Sequence, residues 1–217
     1  MLFSSTYRLP SWRFVTRPRS GSRRAGRPPY AGRVHQTTVE GVRIAWARTD
    51  HDSRRKTADA LIRALAAELV PGSDLRIERR CPVCGGPHGR PALAHAPVLA
   101  SVAYADPWTV VAVAPADHVD AIGIDAEPAG ASLDLAALFA PSEPPDLRGW
   151  TAIEAVLKAD GRGLLLSPDQ VHLFANGRAT VPGGGEFRIL PVATVPGLIV
   201  TLTLRRPDPG PRPIHRP

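Results

Sequence analysis

The chain is predicted to be α+β, with two pseudo-symmetric lobes, each a long helix packed on a small antiparallel sheet. Three observations predict it. Each half of the sequence holds one extended amphipathic segment. Short alternating or apolar runs surround each of these, and Gly, Pro, Asn and Asp punctuate the runs at turn spacing. The resulting order, strand–helix–strands twice over, places the junction of the lobes near residue 116 and argues for a repeated unit.

The first clear strand is VRIAWAR, from Val42, which alternates. Asp50 and Ser53 are N-cap candidates for a helix over residues 53–70. Leu61, Leu65 and Leu69 recur there at helical spacing until Pro71-Gly72 stops it. LRIERR, from Leu75, reads as a strand, and CPVCGGPHGRP, from Cys81, as a tight turn-rich loop. APVLASVAYA and WTVVAVAP form a strand pair with Asp106-Pro107 in the turn, and DAIGIDAE is a further short strand. A polar, proline-rich connection then leads to a second helix beginning at Trp150. VHLFA, EFRILPVA and LIVTLTLR complete an antiparallel set, with turns at Asn176-Gly177 and at Gly183 to Gly185.

The 217 residues suffice for one large or two small domains, and no run approaches the ~20 apolar residues that span a bilayer. A membrane partner is therefore not expected. The net charge of +7 is concentrated at the start: eight arginines, from Arg8 to Arg33, precede the first acidic residue, Glu40. Residues 1–39 are expected to be a disordered Arg-rich leader, with a nucleic-acid-binding arm or a transit-like segment as the alternatives. They lack the apolar core of a secretory signal. Residues 40–115 and 116–204 are the two expected lobes, and 205–217 a disordered Pro-rich tail. Two cysteines offer no disulfide framework and suit a reducing cytoplasm.

The chain has two lysines, Lys56 and Lys158. Lys158 falls one helical turn after Glu154, beside an apolar stripe of Trp150, Ile153 and Leu157. In AIGIDAEP, residues two apart share a face, so Gly123, Asp125 and Glu127 point together while Ile122 and Ile124 point into a core. Three carboxylates on two elements make a candidate cage for a hard divalent cation such as Mg²⁺, with a lysine placed to meet a phosphate. The plainer reading is helix support, since a Glu–Lys pair at i,i+4 contributes about 0.2–0.5 kcal/mol.

The pair GIDAE and, about twenty-five residues later, WTAIEAVLKADGRGL resembles the paired motifs of the 4′-phosphopantetheinyl transferases, in their longer, surfactin-synthetase-activating group. Asp125, Glu127, Trp150, Glu154, Ala155, Lys158, Gly161, Gly163 and Leu164 match that pattern. HGRP, from His88, is similar to the family's Gly-Lys/Arg-Pro element, and Arg63 falls where the family has an arginine that helps hold coenzyme A. The resemblance covers roughly residues 42 to 203. It implies two similar α+β lobes with the coenzyme A site between them, and a monomer. It implies transfer of the phosphopantetheine arm of coenzyme A to a serine of an apo acyl or peptidyl carrier protein, releasing 3′,5′-ADP. Asp125, Glu127 and Glu154 would hold Mg²⁺ at the diphosphate. Glu154, or a water beside the metal, would take the serine proton, and Lys158 would stabilise or protonate the leaving group. Arg63, Arg90 and one of Arg54 or Arg55 would bind the nucleotide's phosphates, with His88 as a further donor.

Two positions depart from the family. Its usual Ser-His-Ser is here Ala103, Tyr104 and Ala105, and Ile153 replaces the lysine that commonly precedes the catalytic Glu. Tyr104 can donate one hydrogen bond but carries no positive charge at neutral pH. A charge-assisted bond is worth about 1.5–3 kcal/mol, so a weakened relative that binds coenzyme A or a carrier domain without efficient turnover is the alternative reading. Cys81 and Cys84, with His88 and His95 downstream, leave a four-ligand zinc site open beside the plainer reading of a turn with ordinary thiols. A nucleic-acid binder built on the leader and that loop would leave GIDAE and EAVLKADGRGL without a role, so nucleic acid is not an expected partner.

Overall fold

The computed structural model describes residues 31–81, 84–194 and 197–207. The class is α+β, with two antiparallel sheets and few helices. The first sheet draws on β1 (Ala31–Val39), β2 (Val42–Arg48), β3 (Ile77–Arg79), β4 (Pro91–Leu93), β5 (Val98–Ala105) and β6 (Trp108–Pro115), in the order β1-β2-β6-β5-β4-β3. α1 (Arg54–Leu69) joins β2 to β3. The second sheet draws on β7 (Ala121–Pro128), β8 (His172–Phe174), β9 (Arg178–Val181), β10 (Gly185–Pro191) and β11 (Leu198–Arg205), in the order β7-β11-β10-β9-β8. Between β7 and β8 come a one-turn helix α2 (Ala136–Phe139), the long α3 (Leu147–Asp160) and two short 3-10 turns.

Strand alternation sorts side chains into layers. Val42, Ile44 and Trp46 of β2 meet Ile122, Ile124 and Ala126 of β7 and Val200, Leu202 and Leu204 of β11 in a core shared by both sheets. Ala45 and Ala47, on the other face of β2, lie under Ala58, Leu61, Ile62 and Leu65 of α1. On the far side, Ile153, Val156 and Leu157 of α3 cover Ala121, Ala179 and Phe187 of the second sheet. The stack is helix, sheet, sheet, helix. Removing a fully buried side chain such as Ile62 would cost about 2–5 kcal/mol.

Several boundaries differ from expectation. Residues 31–39 of the expected disordered leader are strand β1, paired along β2 with His35 stacked on Trp46 at 5.5 Å. The hairpin turn is Glu40-Gly41, both at positive φ, and its pairing supplies the order that the polar sequence does not announce. Residues 1–30 and 208–217 lie outside the described residues, and Arg205, expected in the tail, closes β11. Ser53 sits at the N-cap of α1 without a side-chain cap bond, while Asp50 Oδ1 accepts from the Ser53 backbone N–H at 2.7 Å. The second long helix begins at Leu147, not at Trp150. Asp146 caps it by accepting from the Gly149 N–H at 2.7 Å, and Gly161, at φ 85°, ends it in the left-handed conformation. Among the described residues, no helix is long and apolar enough to cross a membrane.

Candidate functional site

β7 and α3 approach so closely that only glycine fits at residue 123: a Cβ there would lie 1.9 Å from the Ala155 carbonyl oxygen and 2.6 Å from the Ala159 nitrogen. Gly123 therefore lets the helix settle onto the same strand face that carries Asp125 and Glu127. A hydroxyl bond of 3.0 Å between Thr151 and Thr201 ties α3 to β11 alongside. β7 is an edge strand, and its Ile124 N–H donates to the Ser101 hydroxyl of β5 at 3.0 Å. Ser101, which sequence reasoning missed, thus pins the backbone beside Asp125 to the first sheet. Its signal was a buried hydroxyl inside an otherwise apolar strand.

Asp125 is 5% exposed. Its Oδ1 accepts from Lys158 Nζ at 2.6 Å, and its Oδ2 is buried with no hydrogen-bond partner. Glu127 and Glu154 are partly buried, and each feels the charge of Asp125 and of Lys158. Burial is the main cause that raises the pKa of all three carboxyls above the ordinary range. Repulsion adds to it, from Asp125 and Glu154 on Glu127 and from Asp125 on Glu154, while Lys158 opposes the rise at each. The structure therefore brings together four of the residues singled out from the sequence: Asp125, Glu127, Glu154 and Lys158. Their spacing is open. Among the described residues, the group whose metal-ligating atoms all lie within 4.8 Å of one another is Cys81, Cys84 and His88, not this acidic set.

Among the described residues, Arg90 alone of the others predicted has a contact with α3, the helix that carries Glu154 and Lys158. Arg90 donates from Nε to the Ala100 carbonyl at 3.3 Å, and its guanidinium reaches the C-terminal end of α3, about 4.0 Å from where a Gly161 side chain would begin. Its surface stays open to solvent although protein crowds it on several sides, and that crowding lowers its pKa. Arg90 also borders an apolar groove of about 410 Å³ formed with Leu93, Pro97 and Leu99. The Arg54 guanidinium lies over the exposed Tyr104 ring at 5.1 Å, in a small cleft of about 120 Å³ shared with His51 and Trp108. Desolvation, ahead of the neighbouring charges, raises the Tyr104 pKa. Arg55 and Arg63 are exposed on α1. His88 turns its Nε2 to Cys84 Sγ at 2.9 Å, and His95, the fourth residue of the zinc alternative, lies elsewhere, 3.1 Å from Arg76.

A three-carboxylate, one-ammonium cluster at a helix–strand contact is suited to holding a hard cation and moving a proton, and Arg90, at the C-terminal end of the same helix, suits anionic oxygen. No family model matches this chain, and comparison with curated proteins finds no match either.

Proposed function

We propose that this chain is a Mg²⁺-dependent 4′-phosphopantetheinyl transferase, moving the phosphopantetheine arm of coenzyme A onto a serine of an apo acyl or peptidyl carrier protein. The observation that carries the reading is the convergence of Asp125, Glu127, Glu154 and Lys158 on one partly desolvated cluster. The donor set fits a hard divalent ion: every candidate ligand is a carboxylate oxygen, and Asp125 Oδ2 is a buried acceptor lacking a donor. Asp125, Glu127 and Glu154 would hold the ion, which supplies charge neutralisation to the diphosphate when bound.

The chain's own groups supply the rest. Glu154, its pKa raised by desolvation, is the base that takes the proton of the carrier serine as the serine oxygen attacks phosphorus. A new serine–phosphorus bond forms, the phosphorus–oxygen bond to 3′,5′-ADP breaks, and Lys158 meets the departing phosphate as a compact positive charge. Arg90, which precedes β4 and reaches the C-terminal end of α3, and Arg63 with Arg54 or Arg55, on α1, bind phosphates of the nucleotide.

The two-lobe reading goes with this function, and the strand paths support it. The orders β2-β6-β5-β4-β3 and β7-β11-β10-β9-β8 follow one course, with a long helix after the first strand of each, and β1 is the addition. A cytoplasmic monomer is part of the same proposal.

Incubation with apo carrier protein, coenzyme A and Mg²⁺ tests it by the carrier's mass. A gain of one phosphopantetheine, lost with EDTA or in Glu154→Ala, is the expected result, and no gain over a range of carriers rejects the transferase. One observation favours a second reading. Tyr104 lies uncharged beneath Arg54 where the family keeps a histidine, which suits a relative that binds coenzyme A without turnover. Calorimetric binding of coenzyme A with no change in carrier mass would select it.

A further inference from the structure

In the loop between β3 and β4, the proposed transfer uses Arg90 and leaves Cys81 and Cys84 without a role. We propose that Cys81, Cys84 and His88 form a zinc-class metal site with three protein ligands and a water in the fourth position, clipping this loop closed. Their ligand atoms all lie within 4.8 Å of one another, and neither cysteine is in a disulfide. Two thiolates and an imidazole are a soft-to-borderline set that selects Zn²⁺ over Mg²⁺, so this site and the acidic cluster do not compete for one ion.

The loop's backbone is shaped for the task. The Cys81 N–H donates to the Gly86 carbonyl at 2.8 Å, and the Gly85 N–H to the Cys81 carbonyl at 2.9 Å, so the chain folds back within five residues. The Gly86 N–H points at Cys84 Sγ at 3.4 Å, a donor that stabilises a thiolate. Gly85 takes a positive φ of 70° at the turn. On the returning arm, a Cβ at Gly89 would sit 2.2 Å from the Arg80 carbonyl oxygen, so glycine there lets the two arms touch at the base of the loop.

Bond lengths of about 2.3 Å to sulfur and about 2.0–2.1 Å to nitrogen give tetrahedral edges of about 3.8 Å between sulfurs and about 3.6 Å from sulfur to nitrogen. The observed 2.9 Å from Cys84 Sγ to His88 Nε2 would open by about 0.7 Å, a change that exposed side chains absorb by small torsions. The ion would tie the end of β3 to the segment that delivers Arg90. The site stands whether or not the chain transfers phosphopantetheine.

The experiment uses the full chain purified without a metal-affinity tag. Elemental mass spectrometry is expected to find about one zinc per chain. Replacement by Co²⁺ is expected to give thiolate charge-transfer and tetrahedral d–d bands. Cys84→Ser and His88→Ala should each lower zinc affinity about tenfold or more, whereas His95→Ala should not. Circular dichroism of these variants, and of chelator-treated wild type, separates loss of ligand from loss of fold. Proteolysis within residues 80–90 should be at least about tenfold slower with zinc than without. Any of three results overturns the proposal: no cobalt–thiolate bands, zinc binding untouched by His88→Ala, or equal cleavage with and without zinc.

Discussion

Two carboxylate regions of this protein are built in opposite ways. Glu40, in the β1–β2 turn, accepts from Arg188 at 2.8 Å and from Arg206 at 2.9 Å, a single acid facing two cations at the surface. Those hydrogen bonds hold its pKa below the ordinary value. Asp125, Glu127 and Glu154 share one cation among three, Asp125 buried and the two glutamates partly so, and burial drives their pKa values up. The first arrangement stabilises the fold by joining the turn to β10 and the end of β11. The second gathers three acids around one ammonium at a cost in desolvation, and perturbed groups of this kind concentrate at functional sites.

The largest expected effect comes from breaking the buried cluster's chemistry without breaking the fold. Glu154→Ala should reduce carrier modification by about 10²–10⁴-fold, the range for losing a general base. Its thermal midpoint should stay level or rise, since the change removes a desolvated like charge. A midpoint that fell together with activity would make Glu154 a structural residue and remove the contrast with Glu40.

Next in size is Lys158→Met. It leaves the Asp125 carboxylate buried and unpaired and should cost about 1–3 kcal/mol near pH 7. The loss should shrink in acid, where Asp125 takes up a proton. Urea denaturation at the two pH values checks both statements.

Asp125→Asn tests the sign of the linkage. A carboxyl whose folded pKa is raised binds protons more readily in the native state. Its contribution to stability is fully present below the unfolded pKa, near 3.8, and is lost as pH rises through the folded value. Wild type should therefore lose stability over that acid-to-neutral window, and Asp125→Asn should flatten the loss. An unchanged slope of stability against pH would show that Asp125 is not under strain.

Much of this contrast was legible in the sequence on one side only. GIDAE and EAVLK announce the buried cluster because period-two and i,i+4 spacing place acids on facing surfaces without knowledge of the rest of the chain. The Glu40 clamp was invisible. Its partners lie 148 and 166 residues away, and a positive-φ glutamate in a polar stretch reads as the end of a disordered leader. β1 was missed for the same reason, as GRVHQTTV acquires order from pairing with β2 rather than from its own pattern. RATV and PAL were too short to announce strands. The start of α3 was misplaced because Leu147, Arg148 and Gly149 carry no apolar stripe, although Asp146 marks the cap. The Cys/His group was half legible. Spacing offered His95 as a ligand, while the fold sends that side chain to Arg76.

The smallest expected effect is at the clamp itself, and it carries the opposite pH sign. Glu40→Gln removes an exposed acid shared by two arginines, worth about 1 kcal/mol once solvent screening is allowed for. Because the folded pKa is lowered, the wild-type contribution is present above the unfolded value, near 4.5, and disappears as pH falls through the folded one. The difference between wild type and Glu40→Gln should thus be greatest near neutral pH, should fade in acid, and should weaken in high salt. In thermal melts across pH, wild type compared with Asp125→Asn and with Glu40→Gln should give difference curves of opposite slope. Parallel curves would mean that the two regions differ in exposure alone, and that the buried acids hold no reserve of charge for a cation to neutralise.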